Sequence, residues 1–169
     1  RKGENTITLS AHPMKVHAEI EPVYLIGDFS VRPAVKGWFL EAPVNNLTTG
    51  SWKDQGLPFY SWGITYRKEY NIEKPEGKYF IAPGKWNGTV AEVSVNGMKA
   101  PLLAFPPYRS DITDLLRPGV NIIDVKVIGS LKNLLGPHFN NPAPGLTGPW
   151  HWRNVKSYPP GNEYQLLDY

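Results

Sequence analysis

The chain of 169 residues has no cysteine, which excludes a disulfide framework, a Cys-ligated zinc site and a thiol nucleophile. That absence does not locate the protein, because disulfide-free domains occur in oxidising and reducing compartments alike. No apolar run approaches the ~20 residues that span a bilayer, and no membrane partner is expected. An excess of one charge is also missing. Eighteen Lys and Arg stand against 15 Asp and Glu, for a net +3, with the two signs interleaved. The longest basic grouping, Arg67-Lys68, is followed at once by Glu69. Nucleic-acid binders gather their cations on one stripe or face, so no nucleic-acid partner is expected. There is no G-x-S-x-G, no Gly-rich phosphate loop and no dinucleotide fingerprint. The chain begins at Arg1, without methionine or an apolar leader. Residues 1–169 are read as a single domain excised from a larger polypeptide.

What is present is punctuation and alternation. Seventeen prolines and 16 glycines are spread along the chain without a repeat, a profile of many short strands rather than helices. Val93 and Val95 alternate with Glu92 and Ser94, and Asn96-Gly97 follows at once. That pair is favoured in tight hairpins because both residues tolerate positive φ. After Pro118-Gly119, Asn121, Ile123, Val125 and Val127 alternate with Ile122, Asp124, Lys126 and Ile128. Ile64 to Ile72 alternates in the same way, and Lys78 to Ala82 reads as a further short strand. Residues 14 to 40 read as paired strands, with Val16, Ala18 and Ile20 set against His17, Glu19 and Glu21 and a more buried run at Val23 to Ile26. Residues 41 to 63 are loop-rich, Asp111 to Leu116 suits a single helical turn, and Tyr164 to Asp168 reads as a closing strand. The expected fold is all-β, an antiparallel β-sandwich.

Aromatic density is the strongest functional signal: 6 Trp, 9 Tyr and 6 Phe, many of them in loops. Flat apolar rings stack on the axial C–H faces of pyranoses, and the sugar hydroxyls need polar partners at the ring edge. The C-terminal stretch LGPHFNNPAPGLTGPWHWRN supplies both. Trp150 and Trp152, at i and i+2 of an extended loop, face the same way, and His138, Asn140, Asn141 and Arg153 are the candidate hydroxyl partners. A second platform is Trp62 with Tyr60, in SWKDQGLPFYSW. In that cluster Trp52 and Tyr60 flank Gln55, Gly56 and Pro58 and so admit a stacking platform with an amide. A Pro-Phe-Tyr entry into a strand nonetheless weighs toward core anchoring for all but Trp62, and Trp86 is read as packed against the sheet.

Catalytic machinery is not expected. Glu19/Glu21, Asp111/Asp114 and Asp28 with Asp54 are the carboxylate pairs to weigh against a glycosidase requirement. None has neighbours that would raise a pKa, and Asp111 and Asp114 read as turn and cap residues. His12 with His17 and His138 with His151 do not match a metal-ligand spacing. No cofactor is expected, although loops this rich in Asp and Asn admit a structural Ca²⁺.

The run VAEVSVNGMKA, followed by PYRSDITDLLRPGVNIIDVKV, resembles the sugar-binding β-sandwich of family 2-type glycoside hydrolases, a galactose-binding-domain-like jelly roll. The order AEIEPVYLIGDF, GSWKDQGLPFYS, ITYRKEY, the VNG hairpin, GSLKNLLGPH, GPWHWRN and YQLLDY resembles a C-terminal module of large bacterial glycoside hydrolases of the α-L-rhamnosidase, family 106-like, kind. The resemblance runs from about residue 17 to the end. It implies a non-catalytic module of eight or so strands in two sheets, attached to the catalytic domain of the same polypeptide. It also implies a secreted, periplasmic or cell-surface bacterial location and a polysaccharide or oligosaccharide partner. The chain departs from the pattern at Trp62, where the resemblance implies glycine, and at Phe139, where it implies a second histidine. Both departures add stacking surface. A structural module that packs on the catalytic domain without holding glycan is the rival reading, and a small lyase or hydrolase on a jelly roll is the third.

Overall fold

A computed structural model describes residues 2–18, 23–35, 37–135 and 166. Its elements are almost entirely antiparallel strands. In chain order they are β1 (Ser30–Pro33), β2 (Trp38–Glu41), β3 (Gly63–Ile72), β4 (Phe80–Ile81), β5 (Val90–Val95), β6 (Met98–Lys99), β7 (Ser110–Asp111) and β8 (Gly119–Ile128). One-turn 3-10 segments stand at Lys53–Gln55 and Thr113–Leu115, and a single helical turn at Lys132–Leu135. The principal sheet has the order β3-β8-β5-β6. Its inner face carries the core: Ala91, Val93, Val95 and Ile123, closed over by Leu103 and Ile112. Ile81 of β4, Tyr79, Leu115 and Leu116 pack against this cluster, so the β4–β7 pair and its flanking turns form the second layer of the sandwich.

The alternation read from residues 90–95 and 119–128 is the one observed, and register explains why it matters. Val93 pairs with Val125 and Val95 with Ile123, while Glu92 pairs with Lys126 and Ser94 with Asp124. Directly opposed residues share a face, so apolar meets apolar on the inside and polar meets polar on the outside. The Asn-Gly turn is also as expected, with φ of 54° at Asn96 and 82° at Gly97. Asn96 does more than turn the chain. Its Oδ1 accepts from the Ile122 N–H at 3.1 Å, and its Nδ2 donates to Asn121 Oδ1 at 2.9 Å. Asn121 is fully buried. It donates to the Arg117 and Gly119 carbonyls at 2.7 and 3.0 Å and accepts from the Arg117 N–H at 3.0 Å. Two asparagines thus tie the β5–β6 hairpin to the turn that starts β8.

Two expectations are corrected. Residues 14–18 and 23–26 are not strands: Val16 is 94 % and Ile26 93 % exposed, and Lys15–Ala18 closes as a turn through an Ala18 N–H to Lys15 carbonyl bond. The apolar side chains of these two stretches stay exposed; Glu19, Ile20 and Glu21 lie outside the described residues. Among the described residues, paired strands begin at Ser30. The described strands also form three sheets rather than two. The β1–β2 hairpin stands as its own sheet, and its Val31 N–H bonds the Gly56 carbonyl of the neighbouring turn. The closing strand expected at Tyr164 to Asp168 lies outside the described residues, Leu166 excepted.

Asn121→Ala removes two donors and two accepted bonds from a dry site, and is expected to cost about 2–4 kcal/mol in chemical denaturation. Asn121→Asp, which aims a carboxylate at the Arg117 and Gly119 carbonyls, should cost at least as much at neutral pH. Unfolding midpoints within error of wild type for both would disprove the role given to this pair.

Candidate functional site

The two tryptophans of the SWKDQGLPFYSW segment have opposite fates. Trp52 is 1 % exposed, donates its indole N–H to the Tyr66 hydroxyl at 2.7 Å, and meets Tyr60 edge-on with centroids 6.1 Å apart. Phe59 packs edge-on against Trp38 at 4.7 Å. These rings anchor the loop to β3 and β2, as their place before a strand predicts. Trp62, ten residues on, is 70 % exposed. Its backbone is nonetheless fixed, because its carbonyl accepts from the Gly129 N–H at 3.1 Å and extends the β3–β8 ladder by one bond. The indole is therefore a water-facing ring on a rigid strand end. Tyr60 lies between these extremes, 37 % exposed, with its hydroxyl donating to the Gly63 carbonyl at 3.4 Å. Of the expected sugar-contacting residues, Trp62 and Tyr60 lie among the described residues, both exposed, and the ring contact of Tyr60 is with Trp52. Trp150, Trp152, His138, Asn140, Asn141 and Arg153 lie outside the described residues.

Beside Trp62 runs the outer face of the principal sheet. Pairing places Thr65, Lys126 and Glu92 in one row, and Arg67, Asp124, Ser94 and Lys99 in the next. Lys126 is the residue that reaches the indole, its Nζ 5.9 Å from the ring centroid, a cation–π distance. Its path depends on Gly63, where a Cβ would stand 2.5 Å from Lys126 Cε and 3.1 Å from its Cγ. Lys126 also faces Glu92 Oε2 at 3.6 Å. In the next row Arg67 grips Asp124 with two bonds, Nε to Oδ1 at 2.7 Å and Nη2 to Oδ2 at 2.9 Å. That bidentate contact, followed by the opposite charge itself, holds the Asp124 carboxyl below its usual pKa, and the Arg67 guanidinium is raised in return.

Sequence reasoning missed Lys126, Glu92 and Gly63 as neighbours of Trp62. The one local signal was glycine directly after an exposed tryptophan at a strand start. The partner strand lies some sixty residues further on, and only the register reveals it. Trp86, expected against the sheet, does pack on the core. It meets Tyr108 edge-on at 5.2 Å, and glycine at position 88 makes room for it, since a Cβ there would come within 2.7 Å of the ring.

Asp111 is a turn residue, as expected, whereas no side chain caps the Thr113–Leu115 segment, so Asp114 has no capping role. Asp111 accepts from Thr113, whose hydroxyl and N–H (3.0 Å) hold its pKa below the usual range. An acid kept ionised in this way is a poor proton donor. Among the described residues, no group of three or more His, Asp or Glu stands together to hold a metal ion. Nor is any helix among them long and apolar enough to cross a membrane.

No protein-family model and no curated protein sequence matches the chain. Solved structures similar to it include the rhamnosidase from Novosphingobium sp. PP1Y, at 19 % identity over 86 % of this chain and 15 % of that one, with a TM-score of 0.45. The Bifidobacterium dentium β-glucuronidase complexed with coumarin-3-O-glucuronide is 18 % identical over 59 % of this chain and 18 % of its own, with a TM-score of 0.39. The β-D-mannosidase from Dictyoglomus thermophilum is 20 % identical over 79 % and 19 %, with a TM-score of 0.33. These neighbours are glycoside hydrolases, and the chain spans less than a fifth of each. No functional residue is carried over from them.

Two outcomes test this site description. Trp52→Ala should destabilise the fold by about 3–5 kcal/mol, whereas Trp62→Ala should shift stability by no more than about 0.5 kcal/mol; equal losses would contradict the burial assignments. Asp124 and Asp111 both have folded pKa values below their unfolded ones, so the unfolded chain binds more protons as the pH drops. Their contribution is complete above the ordinary carboxylate pKa of about 4 and disappears as pH falls through the folded values. The urea midpoint should therefore fall below pH ~4, and less steeply in Asp124→Asn, which starts lower at pH 7. A variant with the wild-type acid slope would refute the Arg67–Asp124 linkage.

Proposed function

We propose that the chain is a non-catalytic carbohydrate-binding module of a glycoside hydrolase, which holds the enzyme on a plant-type polysaccharide by ring stacking and polar contacts. The observation that carries this reading is Trp62: an indole 70 % exposed on a strand end fixed by the β3–β8 ladder, at the border of a polar sheet face. An unused large ring is costly to leave in water, and one that is held rigid loses little entropy when a sugar stacks on it. Tyr60 extends the platform. Trp150 and Trp152 form the second stacking surface of the proposal, with His138, Asn140, Asn141 and Arg153 bonding the hydroxyls. Affinity at each surface is modest, because shallow sites bury little area, and tethering raises the effective concentration of the attached catalytic domain. The link to a glycoside hydrolase, and the secreted or cell-surface setting that goes with it, comes from the sequence pattern.

One observation favours the rival, scaffolding reading. Phe39 and Leu40 on β2, and Phe105 in the loop after β6, are exposed apolar side chains of the kind that contact a neighbouring domain. The two readings separate at the join between module and catalytic domain. A flexible Ser/Thr/Pro or Gly linker favours glycan capture, and direct fusion favours scaffolding.

Affinity electrophoresis in gels containing plant polysaccharides is the direct test. Wild type should be retarded by at least one polymer, and Trp62→Ala and Trp152→Ala should each weaken binding about 5–30-fold, as expected for about 1–2 kcal/mol per stacked ring. Identical mobility of wild type and both variants in every gel would reject the binding role.

A further inference from the structure

The glycan on Trp62 carries a carboxylate: we propose that the platform selects uronic-acid residues, and that Lys126 is the residue that reads the acid. This rests on the binding reading above and adds the chemical class of the ligand.

Three features on the outer face converge on Lys126. The first is its route. The lysine stem crosses β3 over Gly63, where a Cβ would stand 2.5 Å from its Cε and make the stem shift. The second is its endpoint. The ammonium stands over the Trp62 indole, 5.9 Å from the ring centroid, so a sugar that stacks on the part of the indole left open lies next to a cation. A hexuronate carries a carboxylate on C5 at the edge of its ring, where a charge-assisted bond to an ammonium forms. The third is engagement. The two rows of the face each pair a cation with an anion, but unequally. Arg67 holds Asp124 by two bonds at 2.7 and 2.9 Å, which uses both faces of the fork. Lys126 meets Glu92 only at 3.6 Å, beyond hydrogen-bond range, so its strongest donors are not consumed by Glu92. The side chain of Lys126 is 34 % exposed, so the charge is partly desolvated yet still open to an anion. A neutral sugar offers that ammonium only hydroxyls. A uronate offers a full opposite charge next to an apolar ring, where the interaction is worth more than in bulk water.

Glu92 sets the expected pattern further. It competes with the ligand carboxylate for Lys126, so its removal should strengthen acidic-glycan binding while leaving the stack on Trp62 unchanged.

The test measures affinity electrophoresis and calorimetry of the full 169-residue chain with polygalacturonate, with the same polymer after carboxyl reduction, and with neutral galactan. Wild type should bind polygalacturonate at least tenfold more tightly than either neutral polymer, and lose that preference as NaCl is raised from 50 to 500 mM. Lys126→Gln should weaken polygalacturonate binding about tenfold, Lys126→Arg should retain most of it, and Glu92→Gln should tighten it severalfold. Circular dichroism melts of each variant establish that the fold is intact. If the neutral polymers bind as tightly as polygalacturonate, Trp62→Ala abolishes binding and Lys126→Gln changes nothing, the acid preference is wrong while the stacking platform stands. If no polymer retards wild type, both fall together.

Discussion

The position of β8 relative to the β5–β6 hairpin is the constraint on which the rest of this molecule depends, and two asparagines hold it. Asn96 takes a positive φ that most residues avoid, and its side chain spans to the Ile122 N–H and to Asn121. Asn121 in turn holds the Arg117–Gly119 turn from a fully buried position. Side chains alternate with a period of two, so a slip of one residue would move every side chain of β8 to the other face. Val125 and Val127 would enter water, and Asp124 and Lys126 would enter the core. A buried amide with each bond satisfied penalises that slip more sharply than apolar packing does, since valines tolerate small displacements and unpaired amides do not.

Fixed register has a functional side. Because β3 pairs with β8 on its other edge, the same alignment that buries Ile123 lays Lys126 beside Thr65 and sends its stem over Gly63 to the Trp62 indole. The cation and the competing carboxylate Glu92 come from strands β8 and β5, and the stacking ring stands directly before β3, its carbonyl bonded to the Gly129 N–H. A platform built in this way is organised before any ligand arrives, which limits the entropy lost on binding. Trp52 contributes from below: buried under the loop and bonded to the Tyr66 hydroxyl, it supports Tyr60 and the approach to β3.

Local chemistry was legible wherever the local signal and the tertiary contact coincide. Val93 and Val95 followed by Asn96-Gly97 specify a strand and its turn without reference to anything distant, and the structure follows them. The contrast between Trp52 as anchor and Trp62 as exposed ring was likewise readable from their places on either side of a Pro-Phe-Tyr segment. Residues 14–18 and 23–26 misled because alternation states a capacity for one-sided burial, and their apolar side chains stay exposed. The separation of β1–β2 from the other strands was hidden for a related reason: which strands share a sheet is a tertiary property with no signature in side-chain pattern. The neighbourhood of Trp62 was out of reach because it requires aligning β3 with β8, and nothing in the residues between them encodes that alignment.

The three consecutive charges Arg67, Lys68 and Glu69 can now be understood differently from a broken basic cluster. They lie on β3, a ten-residue strand that forms one border of the principal sheet among the described residues. A border of that length, with its amides and carbonyls directed outward, invites another chain to add a strand, and a flat apolar border would polymerise. Mixed charge along the rim makes such self-association expensive, because an incoming copy would have to desolvate all three groups. The segment thus serves colloidal solubility, and it lets the molecule keep a sticky aromatic ring a few residues away without the sheet itself becoming adhesive.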